Sequence, residues 1–154
     1  MDSFPNKRQA DELRRLWHAL ASRRRAIKND VRFRAIHGLS PMETGVVDVA
    51  AEKPEVILGE IGATLGLPKS TLTSIVDRLE TQGYLRRVIS RRDRRSYGVE
   101  LTRKGRTAYE AHRRFEAEIW RKSMAGLDDN AERERFLVAL KKMVSGLEKG
   151  VDRG

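Results

Sequence analysis

Between positions 69 and 82 the chain lines up short hydroxyls and cations at helical spacing: Lys69, Ser70, Thr71, Thr73, Ser74 and Arg78. Leu72, Ile75, Val76 and Leu79 take the opposite face of the same helix. Hydroxyls both donate and accept hydrogen bonds, and an arginine fork matches the O6 and N7 of guanine. That polar face therefore carries the groups that read base edges in a DNA major groove. A second concentration follows in Ser90-Arg91-Arg92-Asp93-Arg94-Arg95-Ser96. Guanidinium groups so placed suit phosphate, or the minor groove, whose negative potential is deepest where A·T pairs narrow it. Asp93 fits two roles, a carboxylate that fixes an arginine fork or a turn residue that bonds its own backbone.

Other chemistries find little support. There is no cysteine, hence no disulfide, thiolate zinc site, iron–sulfur cluster or thiol switch. His18, His37 and His112 have no metal-ligand spacing. No phosphate loop, paired carboxylates or nucleophile–base signature can be picked out, so neither enzymatic activity nor a cofactor or metal is expected.

The elements that must hold the two concentrations can be read around them. Leu58, Ile61 and Leu65 form one face of a short helix, and Gly66 stands where a left-handed residue would close it, with Leu67 following. Gly62 within that helix costs about 1 kcal/mol against Ala, which fits either close approach of the crossing helix or a plain accident of sequence. Gly83 stops the second helix. Leu85, Arg87 and Ile89, then Tyr97, Val99 and Leu101, alternate as the strands of a β-hairpin with residues 90–96 at its tip. Two helices joined by a tight turn and followed by an arginine-tipped hairpin make a winged helix–turn–helix.

Upstream, Leu13, Leu16, Trp17, Leu20, Ile27, Val31 and Ile36 predict a helix over 9–36 after a loose arm at 1–7. Arg23, Arg24 and Arg25 interrupt its stripe and fit either a solvated turn or phosphate contact. Ser40-Pro41-Met42-Glu43 has the order of a capping box with Pro at the first helical position. Met42, Val46, Val49 and Ala50 form the expected buried face of that helix, which Pro54 ends. Downstream, Thr102 caps a helix over 103–124 with Ala108, Tyr109, His112, Phe115, Ile119 and Trp120 on its apolar side, and Gly105 sits early enough to be tolerated. A last helix begins near Asp128 or Asp129 and carries Phe136, Leu137, Leu140, Met143, Val144 and Leu147.

The chain has 154 residues and a formal charge of +10, which bounds it to one domain and favours a polyanionic partner. No long apolar run or signal-peptide core appears, so a cytoplasmic protein with no membrane partner is expected. The outer helices present more apolar surface, two tryptophans included, than one small lobe can cover; pairing with a second copy is the economical solution, against a monomer with these helices packed back on it.

From Leu39 to Gly105 the sequence resembles the MarR family of transcriptional regulators. The resemblance rests on Leu39-Ser40-Pro41, Leu58-Gly59-Glu60-Ile61-Gly62, Leu65-Gly66-Leu67, Ser70-Thr71-Leu72-Thr73, Val76-Asp77-Arg78-Leu79-Glu80, Gly83-Tyr84-Leu85, Arg92-Asp93-Arg94-Arg95 and Leu101-Thr102-x-Lys104-Gly105. It implies a mainly α fold with a small antiparallel β-hairpin, in a single domain over 1–154. Residues 8–37 and 104–148 would supply dimerisation helices and 39–103 the DNA-binding lobe. It further implies a homodimer on a pseudo-palindromic operator in double-stranded DNA, with Asp93 and Arg95 as the wing's Asp-x-Arg. The regulator would more often be a repressor, relieved by a small and frequently aromatic effector; Trp17, His37, Met42 and Tyr109 are the candidate lining residues, against a plain core role for each. Three departures stand out: Pro68 where a capping Ser is usual, Ser74 where many relatives carry Arg, and Ser90-Arg91 in place of Asp-Pro. Two other readings compete, a non-specific architectural nucleic-acid-binding protein and a winged helix that docks on another protein. Binding to randomised duplexes separates the first, and the arginine-rich wing argues against the second.

Overall fold

Asn6 opens the first helix by a reciprocal cap: its side chain accepts from the Gln9 amide at 3.0 Å, and its own amide donates to the Gln9 side chain at 3.1 Å. The computed structural model describes residues 6–92 and 94–151, so the expectation for residues 1–5 and for Asp93 lies outside the described residues. Helix α1 spans Lys7–Lys28, starting within the stretch expected to be a loose arm. It also ends well before residue 36. Asn29 closes it, the Asp30 carboxylate accepts from the Arg32 amide at 2.9 Å, and the chain continues as a 3-10 turn, Val31–Ile36. The break rotates Phe33, a residue outside the helical stripe, into the core, where it meets Phe115 edge-on at 5.5 Å. Val31, expected to be buried, is exposed.

Helix α2, Pro41–Glu52, begins as its sequence predicts. Ser40 and Glu43 exchange both bonds of the capping box, and Pro41 takes the first turn. Val46 and Val49 are buried as expected, but Met42 is exposed; the cap instead turns Glu43 and Thr44 inward. Helix α3, Leu58–Leu65, ends at Gly66 with φ +62°, a conformation that a side chain would strain. A Cβ on Gly62 would sit 3.3 Å from the Leu67 carbonyl and 3.5 Å from Leu72, which accounts for glycine inside a helix.

Helix α4, Lys69–Thr81, buries Leu72, Val76 and Leu79. Gly83, at φ +74°, closes it in a Schellman motif, with the amides of Gly83 and Tyr84 donating to the carbonyls of Glu80 and Leu79. Strands β1, Leu85–Ile89, and β2, Tyr97–Leu101, pair antiparallel from Leu85 opposite Leu101 to Ile89 opposite Tyr97. Ile57 adds an isolated bridge to Gly98, where a Cβ would come 2.7 Å from the Val56 carbonyl.

Helix α5 spans Arg103–Met124 and α6 spans Asn130–Val151. Asp129 accepts from the Glu132 amide at 2.7 Å, while Glu132 reaches the Asp128 amide, so both aspartates take part in the cap. The chain forms two compact units, one up to Glu116 and one from Ala117. In the first unit the core gathers Phe33, Ile36, Val46, Val47, Ile61, Leu72, Val76, Leu79, Leu85, Val99 and Phe115 between the helices and the hairpin. The chain is mainly α with a two-stranded antiparallel sheet, as expected. No described helix is long and apolar enough to cross a membrane.

Candidate nucleic-acid interface

Lys69, Ser70, Thr71, Thr73, Ser74 and Arg78 are all exposed on α4. Their hydroxyls fall into two kinds. Thr73 donates to the Lys69 carbonyl at 2.9 Å and Ser74 to the Ser70 carbonyl at 3.2 Å, so each presents outward an oxygen that can accept. The Ser70 and Thr71 hydroxyls make no hydrogen bond among the described residues and can act in either sense. Pro68 stands at the cap without a side-chain bond, which leaves the first-turn amides of α4 to water or to an anion. Arg78 shares the face of Thr71 and Ser74 but turns back. Its Nε lies 2.7 Å from Oε1 of Glu43, a carboxylate 3% exposed.

The hairpin is fastened to the helices by arginines that sequence reasoning did not single out for this. Arg87 pairs with Asp77 and Glu80 of α4, and its amide donates to Glu80 at 2.8 Å; these carboxylates raise its already high pKa further, Asp77 first. Arg86 pairs with Glu100 across the strands at 2.7 Å. Further out, Arg92 lays both terminal nitrogens on Glu60 of α3, at 3.0 and 3.3 Å. Glu60 also accepts from the Ile57 amide, and that bond, followed by Arg92, holds its carboxyl below the usual range. Arg91 lies 3.8 Å from Glu55. Buried Ser90 closes the loop, its amide donating to the Ser96 carbonyl at 2.9 Å. Thus Arg91 and Arg92 lean toward the helical body, and Arg94 and Arg95 are exposed.

Two further features escaped the sequence. Gly105, expected to be merely tolerated, is where α5 touches the start of the hairpin: a Cβ there would lie 1.9 Å from the Tyr84 carbonyl. The close approach lets Thr102 bond the Gly83 carbonyl at 2.6 Å and lets Lys104 reach the Gln82 carbonyl at 2.8 Å. His112, read as part of an apolar stripe, sits between two carboxylates, 2.8 Å from Asp48 and 3.3 Å from Glu116. Glu116 also pairs with Arg24, so three elements meet there. An i, i+4 His–Glu pair was visible in the sequence; its partners on α1 and α2 were not.

The candidate effector residues do not converge. Tyr109 lines an open cleft of about 820 Å³ with Arg86, Arg91, Val99 and Arg106, its hydroxyl 3.4 Å from Glu52. Burial first, then Glu52, raises its pKa. Trp17 is 65% exposed on α1 and Met42 is 52% exposed. His37, also exposed, faces the Asp30 carbonyl at 2.9 Å. None of these three lines that cleft. No described group of three or more histidines and carboxylates could hold a metal.

Residues 37–96, which hold both the helix pair and the hairpin, match the sequence model of the MarR family. The HTH-type transcriptional regulator YkoM of Bacillus subtilis is 26% identical over 138 residues, covering 89% of each chain. FabT of Streptococcus pneumoniae, solved in complex with DNA, superposes with a TM-score of 0.71 at 24% identity over 96% of this chain and 98% of that one. The PcaV transcriptional regulator of Streptomyces coelicolor, solved in complex with its natural ligand, gives a TM-score of 0.66 at 20% identity over 94% and 98% of the two chains. The two solved structures share the fold. The winged lobe at 37–96 is thus similar to that of the MarR family of transcriptional regulators.

Proposed function

We propose that this chain is a transcriptional regulator that binds double-stranded DNA sequence-specifically as a homodimer, represses from a pseudo-palindromic operator, and is released by a small effector. The observation that carries the DNA-binding part is the joint exposure of an uncapped, hydroxyl-faced helix and an arginine-tipped wing on one lobe. In this reading Ser70, Thr71, Thr73 and Ser74 meet base edges, and Lys69 with the first-turn amides meets phosphate. Arg94 and Arg95 enter or flank the minor groove, while Arg91 and Arg92 belong to the base that aims them.

The dimer is supported by apolar side chains that the chain leaves uncovered. Leu13, Leu16 and Trp17 on α1 are at least half exposed, and Phe136, Met143, Val144 and Leu147 on α6 are exposed as well. A second copy, bringing the same faces, would bury them. Effector release rests on the cleft at Tyr109 and on the ligand-bound state of the solved PcaV relative.

Selection from a random duplex pool by the full chain tests the reading. An inverted repeat should be enriched, and Arg95→Ala should weaken binding to it at least tenfold while leaving the oligomeric state unchanged. No enriched sequence, with specific and non-specific affinities equal, would instead favour an architectural nucleic-acid-binding protein.

A further inference from the structure

Glu43 is almost fully buried, yet nothing in DNA reading requires a carboxylate there. It stands at the third position of α2, and its oxygens serve two partners. Oε2 accepts from the Ser40 amide at 2.7 Å and from an Arg78 terminal nitrogen at 3.2 Å, while Oε1 faces Arg78 Nε at 2.7 Å. The carboxylate thus completes the cap of α2 and receives a two-pronged guanidinium from α4. Lys28, at the end of α1, donates to the Leu39 carbonyl in the same corner. Burial lowers its pKa first and Arg24 second, while Glu43 opposes both.

A carboxylate so buried is costly when unpaired, and a forked arginine bond is directional in a way that apolar packing is not. Leu72, Val76 and Leu79 set how deep α4 sits, but an apolar face can slide and roll. Arg78 lies about 11 Å along the helix axis from Thr71, at 1.5 Å per residue, away from the turn that carries most of the hydroxyls. Its guanidinium, already committed to α2, is placed to hold the helix rather than to read bases.

We propose that Glu43 and Arg78 form a positioning pair that fixes α4 in rotation and axial setting against α2, so that the hydroxyls of its first turns meet the bases in register. This rests on the reading of α4 as the DNA-reading helix. It takes Arg78 out of the set of direct contacts and adds Glu43, which touches no DNA, to the residues on which sequence preference depends.

The test uses the full chain with Glu43→Gln, which keeps an oxygen for the Ser40 amide, and Arg78→Lys, which keeps the charge without the fork. On the duplex that the parent chain enriches from a random pool, each variant should lose about tenfold in affinity. Binding to an unrelated duplex should change less than twofold, and the double variant should lose no more than either single one. The slope of log affinity against log salt should stay the same, whereas loss of a phosphate contact lowers it by about 0.9. Without DNA, amide hydrogen exchange across α4 should quicken in both variants. Arg78→Gln, at a side chain 59% exposed, supplies the same readouts should Glu43→Gln fail to fold.

The proposal is overturned if Arg78→Gln, which removes the charge, weakens binding with a salt slope reduced by about 0.9 while Glu43→Gln binds as the parent does, because Arg78 is then a DNA contact. It is also overturned if α4 exchanges at the parental rate in every variant. If the parent enriches no sequence, the function proposed above fails, while hydrogen exchange still decides whether the pair holds α4.

Discussion

At the scale of single residues, the lobe depends on positions with no polar chemistry of their own as much as on its arginines. Gly105 is the sharpest case. A methyl group there would overlap the Tyr84 carbonyl at 1.9 Å, and the obstacle is backbone rather than a flexible side chain. Gly105→Ala should therefore cost on the order of 3 kcal/mol, at the upper end for overpacking, read as a lower urea midpoint with unchanged slope. A loss below about 0.5 kcal/mol would mean that α5 and the hairpin do not approach as described. The sequence showed a glycine early in a helix and nothing more, since the carbonyl it must clear lies 21 residues back. Glu43 taught the complementary lesson. Its place in a capping box was legible from Ser40-Pro41-Met42-Glu43, but its second partner, 35 residues on, was not. Local hydrogen-bond grammar can be read from one segment; the use a buried carboxylate makes of its spare oxygen depends on what packs against it.

Among the elements, the winged lobe was largely legible and the first helix was not. Gly66, Gly83 and the alternation at 85–89 and 97–101 fixed both helix ends and the strand register, because each signal acts within a few residues. The expected helix over 9–36 ran on because Val31 and Ile36 prolong its spacing, whereas Asp30 caps a new 3-10 turn and Phe33 claims the core. Tertiary packing of one aromatic ring outweighed a weak periodic signal. The apolar stripes of α1 and α6 were legible as stripes, but not which side chains a single chain would cover. The structure leaves Leu16 at 59% and Trp17 at 65% exposure. If a second copy covers them, replacing Leu16 with Glu should shift the full chain toward monomer in sedimentation at micromolar concentration and leave its helical content intact. A variant that sediments like the parent would remove α1 from the interface.

For the whole molecule, the balance between helix and wing follows from how each is held. Helix α4, the proposed reading helix, has hydroxyls but Ser74 rather than an arginine directly after Thr73, and its one guanidinium, that of Arg78, is engaged by Glu43. Cation density sits in the wing, fastened to α4 through Arg87 and to α3 through Glu60. The formal charge of +10 adds long-range attraction to any duplex, which raises encounter rates without choosing a sequence. In the proposed function, choice then depends on a pair of lobes meeting DNA at once, at a spacing the dimer would set. The direct measurement of that claim is a titration of the full chain onto its enriched duplex, followed by the same duplex with base pairs inserted between its half-sites. The account predicts two chains per duplex and half-site centres separated by about 10 base pairs or a multiple of one helical turn. Inserting about 5 base pairs, half a turn, should then abolish specific binding, and about 10 should restore part of it. One chain per site, or affinity indifferent to the insertion, would contradict it.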